Sequence, residues 1–376
     1  MTESDRTNKQ EVLQYIRANP FISQRELAQH LQISRSTVAA YIASLIKEGE
    51  IVGRAYVLPE TQRILCIGGA NVDRKIHSKE AIQLGTSNPS VVMETHGGVA
   101  RNIAENLARL GVPPTLLTMI GEDKEGEMLL HHMASLGADI STVIRSPLHR
   151  TGTYTAVLNV DGSMVVACAD MDIYEDFTIE RLDPRTKVLA QSSLVIVDTN
   201  LPAKSLDYII GKSAELETPL IVAPVSSPKA RRLPHHLVGV HVLIANLDEI
   251  ETISGMTIDT MDDVPRACEI LQQRGCRQIV VTLGKDGVLW MDESGVWDKI
   301  PADSVDVVDV TGAGDAFVAG FAYATSQSLS VKKSCQFASR LSRLTLQAKE
   351  TVSSAITPHL AHTWLTDIHS ELEETK

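Results

Sequence analysis

At 376 residues the chain exceeds one ordinary domain, since domains run to roughly 100–200 residues, and it has room for a large α/β domain with a smaller companion. Hydrophobic residues make up 43% and charged residues 22%, which excludes a chain that is mostly disordered. The net charge of −12 argues against a protein coated with nucleic acid or held electrostatically to an anionic membrane, and leaves room only for a local DNA-binding face.

The chain opens on Met1-Thr-Glu-Ser-Asp-Arg6, polar where a signal peptide needs an apolar stretch, and no run of 18 apolar residues occurs, so a cytoplasmic protein without a membrane partner is expected. Residues 1–58 read as a unit of their own. Val12, Ile16, Leu27 and Leu31 recur at helical spacing, and Asn19-Pro20 breaks a first helix before Ser23 or Gln24 opens a second. Ser34 is a good N-cap for a third helix that carries Val38, Ile42, Leu45 and Ile46 on one face and is closed by Gly49. Glu50 to Leu58 sets β-forming residues around a glycine and suits a small hairpin wing, and 59–62 reads as a linker.

From Arg63 to the C-terminus, the second predicted domain (63–376), strands alternate with helices. Residues 64–67, 194–197, 220–222, 240–244 and 279–281 are short apolar runs rich in β-branched residues, separated by amphipathic stretches such as Val99 to Leu110. This alternation predicts a doubly wound, mainly parallel sheet covered on both faces. Segments 76–96 and 151–169 do not fit it; the second has a hairpin turn at Asp161-Gly162, and both suit a small sheet standing off the main domain. Cys66, Cys168, Cys268, Cys276 and Cys335 are scattered, odd in number and never paired as C-x-x-C, so they read as reduced structural thiols.

The strongest motif is Asp309-Val-Thr-Gly-Ala-Gly-Asp-Ala-Phe317, in which a strand gives way to two glycines and then a helix of small residues. Backbone N–H groups of Gly312, Ala313 and Gly314 at that helix N-terminus favour a phosphate, and Asp315 stands beside the transferring group. A helix N-terminus lowers a carboxylate's pKa, so Asp315 is expected to be a weak base, sufficient where positioning and charge stabilisation dominate. Alone, this run is equally a tight turn ahead of a helix. The second motif is His96-Gly-Gly-Val-Ala-Arg-Asn102, where Gly97 and Gly98 permit close approach of a ligand and Asn102 offers a donor and an acceptor to a hydroxyl.

Together, in this order, the two motifs resemble those of the PfkB, or ribokinase-like, family over residues 63 to about 360. The resemblance implies a ribokinase-like fold in which 76–96 and 151–169 form a small β lid over the sugar, with ATP and Mg2+ as cofactors and Asp315 as catalytic base. By the same resemblance, Asn71 and Asp73 are hydroxyl ligands for a ribose, Asn246 contacts phosphate, and Glu249 helps hold hydrated magnesium. Thr282, Gly284 and Gly287 lie in a nucleotide-binding T-L-G-x-x-G segment, and Asp309 with the Thr311 carbonyl is similar to a monovalent-cation site for K+. Taken singly, Asn246 and Glu249 equally cap a helix and Asp73 equally serves a turn. One departure is Ala223-Pro224, where the family often has Asp-Pro; if that Asp serves magnesium or phosphate, its loss slows catalysis. Lys229, Arg231 and Arg232 nearby read as a solvated face.

Within the family, Thr86-Ser-Asn-Pro89, residues 97–106, Asp170-Met-Asp172, Val197-Asp-Thr-Asn200 and Pro224-Val-Ser226 are most similar to pseudouridine kinases. The expected activity is transfer of the γ-phosphoryl of MgATP to the 5′-hydroxyl of pseudouridine or a related ribonucleoside. Two alternatives stay open: a kinase for ribose, another sugar or a nucleoside such as inosine or cytidine, and a transcription regulator that uses the kinase fold to sense a nucleoside. Gln24 to Glu48 resembles a bacterial winged helix-turn-helix, which implies DNA contacts from Ser34, Arg35, Ser36, Thr37 and Tyr41 on the third helix and Arg54 on the wing. Residues 1–60 carry seven Lys or Arg and seven Asp or Glu, so the module is neutral, and an interaction or dimerisation role is the rival reading. Two half-sites would strengthen so weak a DNA contact, and a homodimer is expected.

Overall fold

The computed structural model describes residues 3–52 and 63–370. Three helices, Glu3–Ala18, Gln24–Leu31 and Arg35–Lys47, make up most of the first segment. Ser23 and Glu26 form a reciprocal capping box that opens the second helix, and the Ser34 hydroxyl accepts from the Thr37 N–H at 3.0 Å to open the third. Val12, Ile16, Ile22, Leu27, Val38, Tyr41, Ile42, Leu45 and Ile51 form one small core. Two expectations are corrected. Positions 38, 41, 42 and 45 make a single stripe at three- and four-residue steps, so Tyr41 is buried instead of facing DNA, and Ile46 is turned out, 45% exposed. The expected wing beyond Val52, with Arg54 and the linker 59–62, lies outside the described residues.

The main sheet has eight strands in the spatial order Trp297–Ile300, Val288–Met291, Gln278–Thr282, Val242–Asn246, Leu220–Ala223, Leu194–Asp198, Ile64–Ile67 and Thr115–Leu117. The last six run parallel, and the first two add an antiparallel hairpin at one edge. Period-two alternation sends Ile64 and Cys66 into one core with helices Val99–Arg109, Ala313–Ser326 and Val331–Leu346. Leu65 and Ile67 enter the other, with helices Ala203–Glu215, Leu247–Ser254 and Asp263–Gln273. Each fully buried Leu, Ile or Phe contributes about 1.5–3 kcal/mol, so both faces hold the sheet rigid beneath the loops at its strand ends.

A second sheet orders Ser90–Gly97, Asn71–Ser78, Thr153–Leu158 and Met164–Asp170. It begins at Asn71, directly after the first main strand, and so takes in residues ahead of the 76–96 segment. Its outer strands are exposed along most of their length, and Cys168 lies there, exposed, while the other four cysteines are buried. Among the described residues no helix is long and apolar enough to cross a membrane.

Candidate functional site

Parallel strands carry their loops to one edge, and the sequence motifs meet there. Asp198 ends its strand opposite Ala223, and Asn246 is paired with Thr282 on the next two strands. Helices Val99–Arg109 and Ala313–Ser326 both begin at this edge on a glycine, which has no side chain to cap the helix it opens, Gly98 at φ 95° and Gly312 at φ 82°. No side chain caps the second of these helices, so its first-turn N–H groups favour an anion, whereas in the first Asp198 takes the Ala100 N–H and the Gly69 carbonyl takes that of Arg101. A Cβ on Gly98 would run into the Gly69 carbonyl, and one on Gly312 into the Thr351 carbonyl, so neither loop tolerates a side chain. Beside Gly314 no atom stands within 4 Å of where a Cβ would be, leaving open space over the helix end next to Ala313.

Three carboxylates gather around these two helix ends. Asp315 Oδ2 accepts from Asn102 Nδ2 at 2.6 Å, and the Asn102 carbonyl is held by the guanidinium of Arg101. Both ends of the Asn102 side-chain amide thus have a partner inside the protein, and one of its N–H groups orients Asp315. Arg101 is fully buried and donates also to Glu105 and to the carbonyls of His96 and Gly97. Asp73 Oδ1 accepts from Asn71 Nδ2 at 2.6 Å; Asn71 is buried and paired with Gly97, so it positions Asp73, which is only half-buried.

Asp198, wholly buried, takes the N–H groups of Gly69 at 2.8 Å, Asn200 at 2.8 Å and Ala100 at 3.0 Å, and thereby ties the first glycine loop to the second. Burial pushes the Asp315 carboxyl up to about 7; the Asn102 bond and Arg101 oppose this, and the charges of Asp198 and Asp73 add to it. The expectation of a lowered Asp315 is overturned, because desolvation beside two further carboxylates outweighs a helix terminus.

Sequence reasoning did not assign a role to Asp198, although a charged residue ending the buried run Leu194-Val-Ile-Val197 at a ligand-facing strand end is a readable signal. It also missed Arg101 and Tyr174, whose hydroxyl accepts from the Ala70 N–H at 2.8 Å and donates to the Ala70 carbonyl at 2.6 Å. Lys229 and Arg232 are not a solvated face. Lys229 bonds the Asn200 side chain, and Arg232 donates to the carbonyls of Asn200 and Leu201 and to Glu175.

At the far end of the edge, Asn246 caps helix Leu247–Ser254 in a reciprocal box with Glu249: Asn246 Oδ1 accepts from the Glu249 N–H at 2.9 Å, and Glu249 Oε2 from the Asn246 N–H at 3.0 Å. Glu249 is buried, and that burial pushes its carboxyl up to about 7. Thr282 ends its strand, and Gly284 and Gly287 bracket the tight turn that follows it. Among the described residues no group of three His, Cys, Asp or Glu could cage a metal. A magnesium ion carried on substrate phosphates and keeping its waters needs no such cage, and one nearby carboxylate suffices for it.

At the expected monovalent-cation site, Asp309 already has partners within the protein. Asp309 Oδ1 accepts both the N–H and the O–H of Thr311, at 2.9 and 2.7 Å, and Oδ2 accepts from Lys75 Nζ at 3.2 Å. A second cation about 4 Å from that ammonium would meet repulsion of about 4 kcal/mol at an effective dielectric of about 20.

On the third N-terminal helix Arg35 and Ser36 are exposed and Thr37 is half-buried, while the Ser34 hydroxyl is engaged as the cap. The profile described as winged helix-turn-helix DNA-binding matches residues 5–52, and that described as pfkB family carbohydrate kinase matches residues 61–358. The chain is 35% identical over 330 residues to the uncharacterized sugar kinase YeiI of Escherichia coli (strain K12), covering 88% of this chain and 91% of that protein. It is 32% identical over 292 residues to the pseudouridine kinase of the same strain, covering 78% and 93%. A solved carbohydrate kinase from Agrobacterium tumefaciens aligns at a TM-score of 0.72 and 29% identity, over 81% of this chain and 97% of that one. Arabidopsis thaliana ribokinase, complexed with ribose and ATP, aligns at 0.72 and 20% identity over 81% and 98%, a likeness of fold.

Proposed function

The chain belongs to the pfkB family of carbohydrate kinases, and from that premise we propose that it transfers the γ-phosphoryl group of MgATP to the 5′-hydroxyl of a ribonucleoside, pseudouridine first among them. The observation that carries this reading is the half-buried Asp315, held by Asn102 with its carboxyl pushed to about 7, beside the uncapped amides of Gly312, Ala313 and Gly314. A base must be poised near the working pH, and phosphoryl transfer needs donors fixed where negative charge gathers.

Asp73, oriented by Asn71, binds ribose hydroxyls, with Gly97 and Gly98 allowing the sugar close to the backbone. Asp315 accepts the 5′-hydroxyl proton as that oxygen bonds to the γ-phosphorus and the bond to the β-phosphate oxygen breaks, releasing ADP. The helix amides hold the transferring group, Asn246, Thr282, Gly284 and Gly287 receive the nucleotide, and Glu249 touches the water shell of Mg2+, which would neutralise phosphate charge. The small sheet is the lid. Val91, Val92, Met93, Met164, Val165 and Val166 on its outer strands are exposed, and a homodimer that covers them is part of the proposal. ATP as donor sets the reaction in the cytoplasm.

A nucleoside-sensing regulator is the second reading, favoured by the winged-helix match and the exposed Arg35 and Ser36. Turnover against pseudouridine, uridine, inosine, cytidine and ribose tests both. The highest kcat/KM is expected for pseudouridine; preference for ribose would overturn the acceptor, and turnover of none would leave the sensor alone.

A further inference from the structure

The loop that leads into the phosphate-holding helix is pinned by a residue from the other sheet. Asp309 stands three residues before Gly312, and a carboxylate there opposes the arrival of phosphate unless its charge is answered. Its Oδ1 is satisfied within the loop by Thr311, and its Oδ2 by the ammonium of Lys75 at 3.2 Å. Lys75 lies on the strand Asn71–Ser78, two residues beyond Asp73, so the two side chains leave the same face of the small sheet. Its charge also lowers the Asp73 carboxyl against the upward push of burial. One ammonium therefore bonds the phosphate loop while its charge acts on the acceptor-binding carboxylate, and it ties the small sheet to the loop ahead of helix Ala313–Ser326. The ion pair is partly exposed, with side chains 41% and 28% accessible, so it adds little to folding, and its effect lies in where it puts charge.

We propose that the ammonium of Lys75 takes the place of a monovalent cation beside Asp309, positions the loop ahead of Gly312 for the nucleotide phosphates, and frees the reaction from dependence on potassium. This rests on the phosphoryl-transfer reading for its turnover arm; its binding arm needs only that ATP enter the cleft.

The test uses the full chain in sodium- and potassium-free buffer, titrated with potassium chloride at constant ionic strength against tetramethylammonium chloride. Calorimetry gives the Kd of a non-hydrolysable ATP analogue with Mg2+, and a coupled assay gives turnover. For the unsubstituted chain both should stay within about twofold across the titration. Lys75→Ala should lose about tenfold or more in turnover without potassium, since the Asp309 carboxylate ahead of the phosphate-holding helix is left unanswered, and regain most of it as potassium fills the vacated place. Its analogue Kd should become potassium-dependent in parallel, while the acceptor KM moves less than kcat.

Lys75→Met, which keeps the aliphatic stem, should repeat the pattern and guards against a local packing loss. A chain activated tenfold by potassium before any substitution overturns the proposal, as does a Lys75→Ala defect that potassium does not relieve, or no defect at all. Absence of turnover with every acceptor sinks the kinase reading and leaves the calorimetric arm to decide on Lys75.

Discussion

The carboxyl of Asp315 is the residue on which both chemistry and pH dependence turn. With its pKa pushed to about 7, kcat/KM should rise with pH up to about 7 and level off above it, as a base must first lose its proton. Asp315→Asn should lower turnover by roughly two to four orders of magnitude while leaving ATP binding nearly intact. It should also leave the fold more stable at pH 8. Between about pH 4, the ordinary carboxylate value, and about 7, the native state holds a proton that the unfolded chain has lost, so unsubstituted stability falls as pH rises through that window. Asp315→Asn removes that slope, and its Tm advantage should grow from pH 4 to 7; a Tm difference that ignores pH would show that the carboxyl is not desolvated. Asp73→Ala should raise the acceptor KM far more than the ATP KM, because a hydroxyl ligand is lost and Asn71 is left with an unpaired donor. Equal effects on both would tell against a ribose site.

Elements place these residues through their ends rather than their middles. Gly312 opens helix Ala313–Ser326 at φ 82°, with the Thr351 carbonyl where a Cβ would go. Gly312→Ala therefore costs at least about 1 kcal/mol for the left-handed backbone, and the collision adds to that, turning the first-turn amides away from the phosphate. Melting should drop by about 1–2 °C for each kcal/mol in a domain of this size, with a rise in ATP KM, and unchanged values would remove the helix end from the phosphate site. The helix Val99–Arg109 is governed the same way at Gly98, and the Asn102–Asp315 bond makes the two helix ends one unit. At the other helix with a proposed phosphate role, Asn246 and Glu249 cap each other, which is the structural reading of that pair, and its nucleotide role belongs to the proposal.

At the scale of the whole molecule a neutral helix-turn-helix is joined to an acidic kinase. If residues 1–58 read DNA, the isolated module should bind weakly, and a dimer of the full chain should gain through two half-sites. Acceptor binding beneath the small sheet should then shift operator affinity by about 5–150-fold, the range of a 1–3 kcal/mol coupling, and operator DNA should shift acceptor affinity by the same factor. Selection of an operator with full-length protein, followed by titration with and without nucleoside at fixed salt, measures both. Failure to select any sequence ends the regulator reading, and a selected operator indifferent to nucleoside removes the sensor. Light scattering that reports a monomer removes the dimer.

The alternation of parallel strands with helices, the glycines that open two of those helices and the cap at Ser34 were determined by the sequence alone. Each depends on residues within a few positions of one another, where periodicity and backbone preference act directly. The strands Thr115–Leu117, Val288–Met291 and Trp297–Ile300 were not read from it. Only the tertiary structure decided what the site residues are bonded to and how they are charged. The Asn102–Asp315 bond spans 213 positions, the Lys75–Asp309 pair 234, and the Asp198–Ala100 bond 98. Asp315 is raised by burial, with the charges of Asp198 and Asp73 from two distant strands adding to it, Asn102 is turned inward by Arg101, and Asp309 meets an ammonium where a metal ion was expected. Charge and desolvation act through space, and separation in space is what packing both faces of the sheet sets and what spacing along a chain does not record.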